Sequence, residues 1–170
     1  MSGAAWVTRS AAATRVLGRT LAAHLRAGDF VLLSGELGSG KTELAKGIGD
    51  GLGVEETIVS PTFTIAREYD ASIPFVHVDV YRLDRVQEVV DLALEERDDA
   101  VTVVEWGDAA STAFPPDRLE VALVRPEAAH APGDRVVTFE ARGDTWRARL
   151  RALSSSLESA AHDTDDLEAR

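Results

Sequence analysis

An α/β fold is predicted: a three-layer sandwich whose central sheet, mostly parallel but mixed, is covered by helices. Two observations carry that expectation. First, short apolar runs at 30–33, 74–81 and 101–106 alternate with stretches of helical periodicity. Strands feeding crossover helices in that way build sheets with helices packed against them. Second, GELGSGKT at 35–42 follows an apolar run and opens a helical one. Gly35, Gly40, Lys41 and Thr42 match the G-x-x-x-x-G-K-[ST] phosphate-loop pattern, so the sandwich is of the P-loop NTPase-like kind.

The elements follow in order. Residues 8–27 suit a helix, with Leu17, Leu21 and Leu25 at every fourth position and Gly28 placed to end it. Residues 30–33, all apolar, read as a buried strand. From Lys41 to Leu52 the spacing of Leu44, Ile48 and Leu52 marks a helix. Gly47, Gly49 and Gly51 sit inside it, each costing about 1 kcal/mol against Ala, which calls for close packing or a loose last turn. SPTFTIAREYD at 60–70 reads as a loop or edge segment. PFVHVDVY at 74–81 alternates, placing Phe75, His77 and Asp79 on one face and Val76, Val78 and Val80 on the other. A helix over 84–94 and a buried strand over 101–106 come next, and FPPD then breaks the chain. Residues 119–124 and 135–141 predict two further strands, and Asp144 is placed to cap a helix running to Leu157. Residues 1–153 therefore form one domain, and 154–170 an acidic, partly disordered tail.

Composition excludes several functions. The 170 residues contain no cysteine, which rules out thiolate catalysis and cysteine-ligated metal. Eighteen Lys and Arg stand against 29 Asp and Glu, for a net charge of −11 with no basic run. A surface of that sign repels phosphodiester backbones, so direct nucleic-acid binding is not expected. The N-terminal MSGAAWVTRSAAATRVLG has no sustained apolar core, and no window is apolar enough to span a bilayer. A soluble, cytoplasmic protein without membrane contact is expected.

The phosphate loop has a mechanical logic. Backbone N–H groups must point inward at the phosphates, and side chains at Gly35, Gly38 and Gly40 would obstruct that. Lys41 reaches the β- and γ-phosphates, Thr42 offers its hydroxyl to magnesium, and the helix N-terminus adds partial positive charge. Hydrolysis also needs carboxylates. Asp79 and Glu105 lie near the ends of two apolar runs, where the strands of an open α/β sheet line the ligand crevice. His24, His77, His130 and His162 show no ligand spacing, so His77 reads as a packed or hydrogen-bonded strand residue.

GELGSGKTELAKGI, VSPTFTIAREY, VHVDVYRL, DLALEE and VVEWGD, in this order, resemble the TsaE (YjeE) family, small bacterial ATPases of the tRNA threonylcarbamoyladenosine pathway. The resemblance covers about residues 10–153. It implies ATP and Mg2+ as cofactors, with Leu37, Gly38, Ser39, Gly40, Lys41 and Thr42 wrapping the phosphates. Thr42 and Glu105 would hold the metal, and Asp79 would be the catalytic or metal-linked acid. Thr62 would belong to a γ-phosphate-sensing switch, with Arg82 and Trp106 beside the site. Ser10, Ala11, Asp134 and Arg135 would touch the adenosine end. The resemblance further implies partners, TsaB and TsaD, which carry the transfer onto A37 of tRNA, so tRNA would be met only through them. Two rivals remain at this level. A small-molecule kinase would want an arginine-bearing lid that the sequence does not show, and a non-hydrolysing switch would not need both Asp79 and Glu105.

Overall fold

The computed structural model describes residues 3–83, 86–92, 94, 97–106, 111–126, 131–162 and 166–169. Its elements run β1 (Gly3–Thr8), α1 (Ala11–Ala22), β2 (Phe30–Ser34), α2 (Lys41–Leu52), β3 (Ala66–Tyr69) and β4 (Phe75–Asp79). They continue as α3 (Val86–Val90), β5 (Val101–Glu105), β6 (Arg118–Val124), β7 (Arg135–Arg142), α4 (Gly143–His162) and β8 (Leu167–Ala169). The described strands form one sheet in the order β3-β4-β5-β2-β6-β7-β1-β8. Its centre, β4-β5-β2-β6, is parallel, and both flanks are antiparallel.

Strand parity sorts the core into two layers. Val31 and Leu33 of β2, Phe75 of β4, and Val101 and Val103 of β5 pack with leucines of α1, α2 and α4. Phe30, Leu32, Val76, Val78 and Val104 point the other way, toward Val89, Leu94 and Phe114. Central parallel strands are covered on both faces and read as continuous apolar runs for that reason. β6 and β7 bury only alternate residues, the mark of strands with one face in the core.

The glycines of α2 answer to close packing. A Cβ at Gly47 would sit 2.3 Å from the Arg15 carbonyl oxygen of α1, and one at Gly18 would sit 2.5 Å from the Leu44 carbonyl oxygen. The two helix backbones touch where neither carries a side chain. Gly47→Ala should therefore destabilise the protein by about 1–3 kcal/mol despite alanine's better helix propensity, because backbone rather than a flexible side chain must give way. A lowered urea midpoint with unchanged slope is the expected reading.

Four expectations change. The first helix starts at Ala11, because Ser10 caps it by accepting from Ala13 N at 3.1 Å, and Thr8 belongs to β1. It ends near Ala22. Gly28 instead turns the chain into β2, donating its N–H to the Ala100 carbonyl at 2.8 Å. Asp144 does not cap α4; Asp117 does, accepting from Thr145 N at 3.2 Å and Trp146 N at 3.3 Å, while Asp144 pairs with Arg147. Nor is 154–170 a bare tail: α4 continues to His162 with Leu157 fully buried, and β8 pairs with β1 through Leu167. Of the helix expected over 84–94, α3 supplies Val86–Val90; residues 84, 85 and 93 lie outside the described residues, as do 163–165 of the tail.

Candidate functional site

The loop between β2 and α2 is built around the Lys41 side chain. Its Nζ donates to the Gly35 carbonyl at 2.7 Å and the Glu36 carbonyl at 3.0 Å, and lies 3.7 Å from the centre of the Trp106 ring. Gly35 has φ +137° and passes so near β6 that a Cβ would meet the Leu123 carbonyl oxygen at 2.2 Å. That approach fixes where the loop leaves the sheet. From the far side Arg135 grips it, donating to the Ser39 carbonyl at 2.9 Å and the Gly38 carbonyl at 3.0 Å. Burial, then Arg125, lowers the Arg135 pKa against the pull of Asp134, yet a guanidinium stays charged at neutral pH.

The two acids meet beneath this loop. Asp79 and Glu105 end adjacent parallel strands and are register partners. Both share strand parity with the residues that face α2, so both point toward the loop. Thr42 Oγ1 donates to Glu105, 2.9 Å from Oε1 and 3.2 Å from Oε2. Thr62 Oγ1 donates to Asp79 Oδ2 at 2.6 Å, which leaves the Ser60 hydroxyl to donate to Thr62 at 2.7 Å. Asp79 Oδ1 also accepts from Tyr81 N at 2.9 Å. Asp79 and Glu105 are each 3% exposed, so their carboxylates are held by named donors rather than by bulk water.

Between them lies a cleft of about 330 Å³, walled by the loop from Leu37 to Glu43 and by Ser60, Thr62, Asp79, Tyr81, Glu105 and Trp106. Trp106 takes a left-handed φ of 63°, a conformation uncommon outside glycine, and its ring lies 4.8 Å from that of Tyr81. The Trp106 backbone N–H donates to the Leu33 carbonyl at 2.8 Å, so the turn is anchored to β2.

Of the residues singled out in the sequence, Leu37, Gly38, Ser39, Gly40, Lys41, Thr42, Thr62, Asp79, Glu105 and Trp106 line this cleft. Arg135 holds the loop from behind. Gly133 lies against the start of α1, where a Cβ would meet the Arg9 carbonyl oxygen at 2.5 Å and Ser10 Cα at 3.8 Å. Ser10 and Ala11 begin α1, and the buried Asp134 accepts from Ala131 N at 3.1 Å; none of the three lines the cleft. Arg82 turns away to lie 4.4 Å from the Phe63 ring centre. Ser60, in the SPTFT segment expected to act as a switch, and Tyr81, beside Arg82, also wall the cleft; Tyr81 was not singled out, and His77 was given no part in the site. His77 Nε2 lies 2.8 Å from Glu105 Oε1.

A glycine-rich loop between a buried strand and a helix, with two acids at neighbouring strand tips, defines an α/β protein of the P-loop class. The comparisons with known proteins narrow that class. The model of the family described as "Threonylcarbamoyl adenosine biosynthesis protein TsaE" matches residues 8–133, and the chain belongs to that family. It is 47% identical over 137 residues to the tRNA threonylcarbamoyladenosine biosynthesis protein TsaE of Streptomyces coelicolor, covering 78% of this chain and 93% of the relative. Identity to the TsaE of Bacillus subtilis is 36% over 152 residues, covering 88% and 92%. Among solved structures, the crystal structure of Bacillus subtilis YdiB superposes with a TM-score of 0.75 at 30% identity, covering 96% of this chain and 97% of that one. No described helix is long and apolar enough to cross a membrane.

Proposed function

We propose that this chain is a Mg2+-dependent ATPase that serves tRNA threonylcarbamoyladenosine formation by acting on a TsaB–TsaD pair, and does not itself perform the transfer. One observation carries the enzymatic part: Thr42 of the loop and Glu105 of β5 are in direct contact, with Asp79 as the strand-tip partner of Glu105.

The donor set fits magnesium. Thr42, Glu105 and Asp79 offer hard oxygens on one cleft, and no cluster of three or more His, Cys, Asp or Glu able to cage a metal occurs among the described residues. Mg2+ binds in this manner, through one or two protein oxygens and the substrate's phosphates, rather than in an all-protein cage. Thr42 and Glu105 would hold it, and it would neutralise charge on the transferring phosphoryl group.

The chain's own groups do the rest. Lys41 exchanges the Gly35 and Glu36 carbonyls for phosphate oxygens. Thr62 is held by Asp79 until a γ-phosphate offers a competing acceptor, and Asp79, relieved of that bond, accepts a proton from the attacking water. The water oxygen bonds to the γ-phosphorus as the bridging P–O bond breaks, giving ADP and phosphate. The acidic surface supports leaving tRNA to the partners, since a net charge of −11 without a basic run opposes the phosphodiester backbone of a nucleic acid.

The test is reconstitution. Hydrolysis by the chain alone should be slow and should rise when TsaB and TsaD are added, and modification of tRNA over many turnovers should require this chain. Phosphorylation of a small metabolite, with no response to the partner pair, would favour the kinase reading; partner-dependent modification without hydrolysis would favour a pure switch.

A further inference from the structure

His77 is a buried polar group beside the cleft that the mechanism above does not use. It lies on β4 two residues before Asp79 and on the same face, with no exposed side-chain surface. In the parallel register His77 pairs with Val103 and Asp79 with Glu105, so its ring reaches diagonally to the strand-tip acid. Nε2 stands 2.8 Å from Glu105 Oε1. A carboxylate can only accept, so Nε2 carries the hydrogen. Nδ1 is buried and has no hydrogen-bond partner among the described residues. The ring stacks on Phe75, with centroids 5.8 Å apart and planes 20° apart.

We propose that His77 is a positioning residue that fixes the rotation of the Glu105 carboxylate for metal binding, a role resting on the Mg2+–nucleotide reading of the cleft. The last torsion of a glutamate side chain is broad and roughly two-fold, so an unpinned carboxylate samples many orientations. Among the described residues Oε1 accepts from both His77 and Thr42, whereas Oε2 has only the longer 3.2 Å contact with Thr42. When Thr42 turns its hydroxyl to a ligand, the bond to His77 remains, and the carboxylate keeps its angle. Donors that hold a metal-binding carboxylate from behind orient it toward the metal. Packing alone does not account for the residue: a phenylalanine would stack on Phe75 without leaving a buried nitrogen unpaired.

The experiment compares His77→Phe, which keeps the stack and removes the N–H, with His77→Gln, whose amide places a donor near the Nε2 position. Binding of a fluorescent ATP analogue is followed by anisotropy as Mg2+ is titrated, alongside kcat, KM and thermal unfolding. His77→Phe should raise the Mg2+ concentration for half-saturation about 10-fold, the low end for loss of such a donor. It should lower kcat by a similar factor while leaving Mg2+-free nucleotide binding unchanged, and His77→Gln should recover most of both. The proposal is overturned if His77→Phe stays within about two-fold of wild type, if His77→Gln fares no better, or if Mg2+-free binding falls in step. Should His77→Phe not fold, His77→Asn against His77→Gln decides, because the shorter amide cannot reach Glu105; equal behaviour of the two overturns the role. A wild type whose nucleotide binding ignores Mg2+ overturns the metal reading itself and this role with it, whereas a responsive wild type with an indifferent His77→Phe overturns the role alone.

Discussion

Glu105→Gln is expected to lower Mg2+-dependent ATP hydrolysis by at least about 100-fold, equivalent to roughly 2.7 kcal/mol of transition-state stabilisation, with the fold intact. The substitution is nearly isosteric and keeps an oxygen that can accept from Thr42 or His77. What it removes is the negative charge that would draw a metal to the Thr42 hydroxyl. Stability should not suffer, and a small gain is expected. Glu105 and Asp79 are buried register partners at adjacent strand tips, and neutralising one relieves repulsion between two carboxylates that have little water around them. The pairing of lost turnover with unchanged or raised melting temperature separates a site effect from a folding effect. Wild-type turnover in Glu105→Gln would remove this acid from the site, and a collapse of the melting temperature would make it a structural residue instead.

The contrast between Glu105 and His77 marks how far the sequence could be read. A strand-end acid is visible because alternation assigns each residue to a face, and the carboxyl ends of parallel strands face the crevice. Alternation therefore put His77 and Asp79 on one face of their strand. It could not supply the lateral order of strands, and that order makes His77 and Glu105 neighbours. The loop's motif was legible because its glycines, Lys41 and Thr42 follow one another in sequence; its approach to Leu123 of β6 and its clasp by Arg135 were not.

Other elements escaped because their reasons lie far along the chain. β1 is six residues of mostly small side chains, and its pairing partner β7 begins more than a hundred residues later. β8 is three residues long and exists as a strand only through β1. Asp144 satisfies the local rule for a helix cap, yet the carboxylate of Asp117, which stands just before β6, takes the N–H groups of Thr145 and Trp146. Arg135 was singled out only through the family resemblance, and nothing in its neighbours' spacing announces that it clasps the carbonyls of Gly38 and Ser39.

Lys41→Ala should have the larger effect on nucleotide binding, abolishing detectable hydrolysis and weakening ATP binding by at least about 100-fold. The ammonium has two tasks in the structure. It closes the loop by donating to Gly35 and Glu36, and it sits against the Trp106 ring, a desolvated cation–π contact. Removing it leaves two inward-facing carbonyls without that donor and takes away the one loop side chain whose charge matches a phosphate. The cradle then repels the ligand: the acids Asp79 and Glu105 remain, and their countercharge is gone. Lys41→Arg should not restore activity, since a planar guanidinium cannot stand in for a compact ammonium whose residue is only 4% exposed. Isothermal titration with ATP and Mg2+ distinguishes this from the Glu105→Gln defect. Lys41→Ala should lose affinity with and without the metal, whereas Glu105→Gln should lose only the metal-dependent part. Retained affinity in Lys41→Ala would mean that the phosphates bind elsewhere than in the loop.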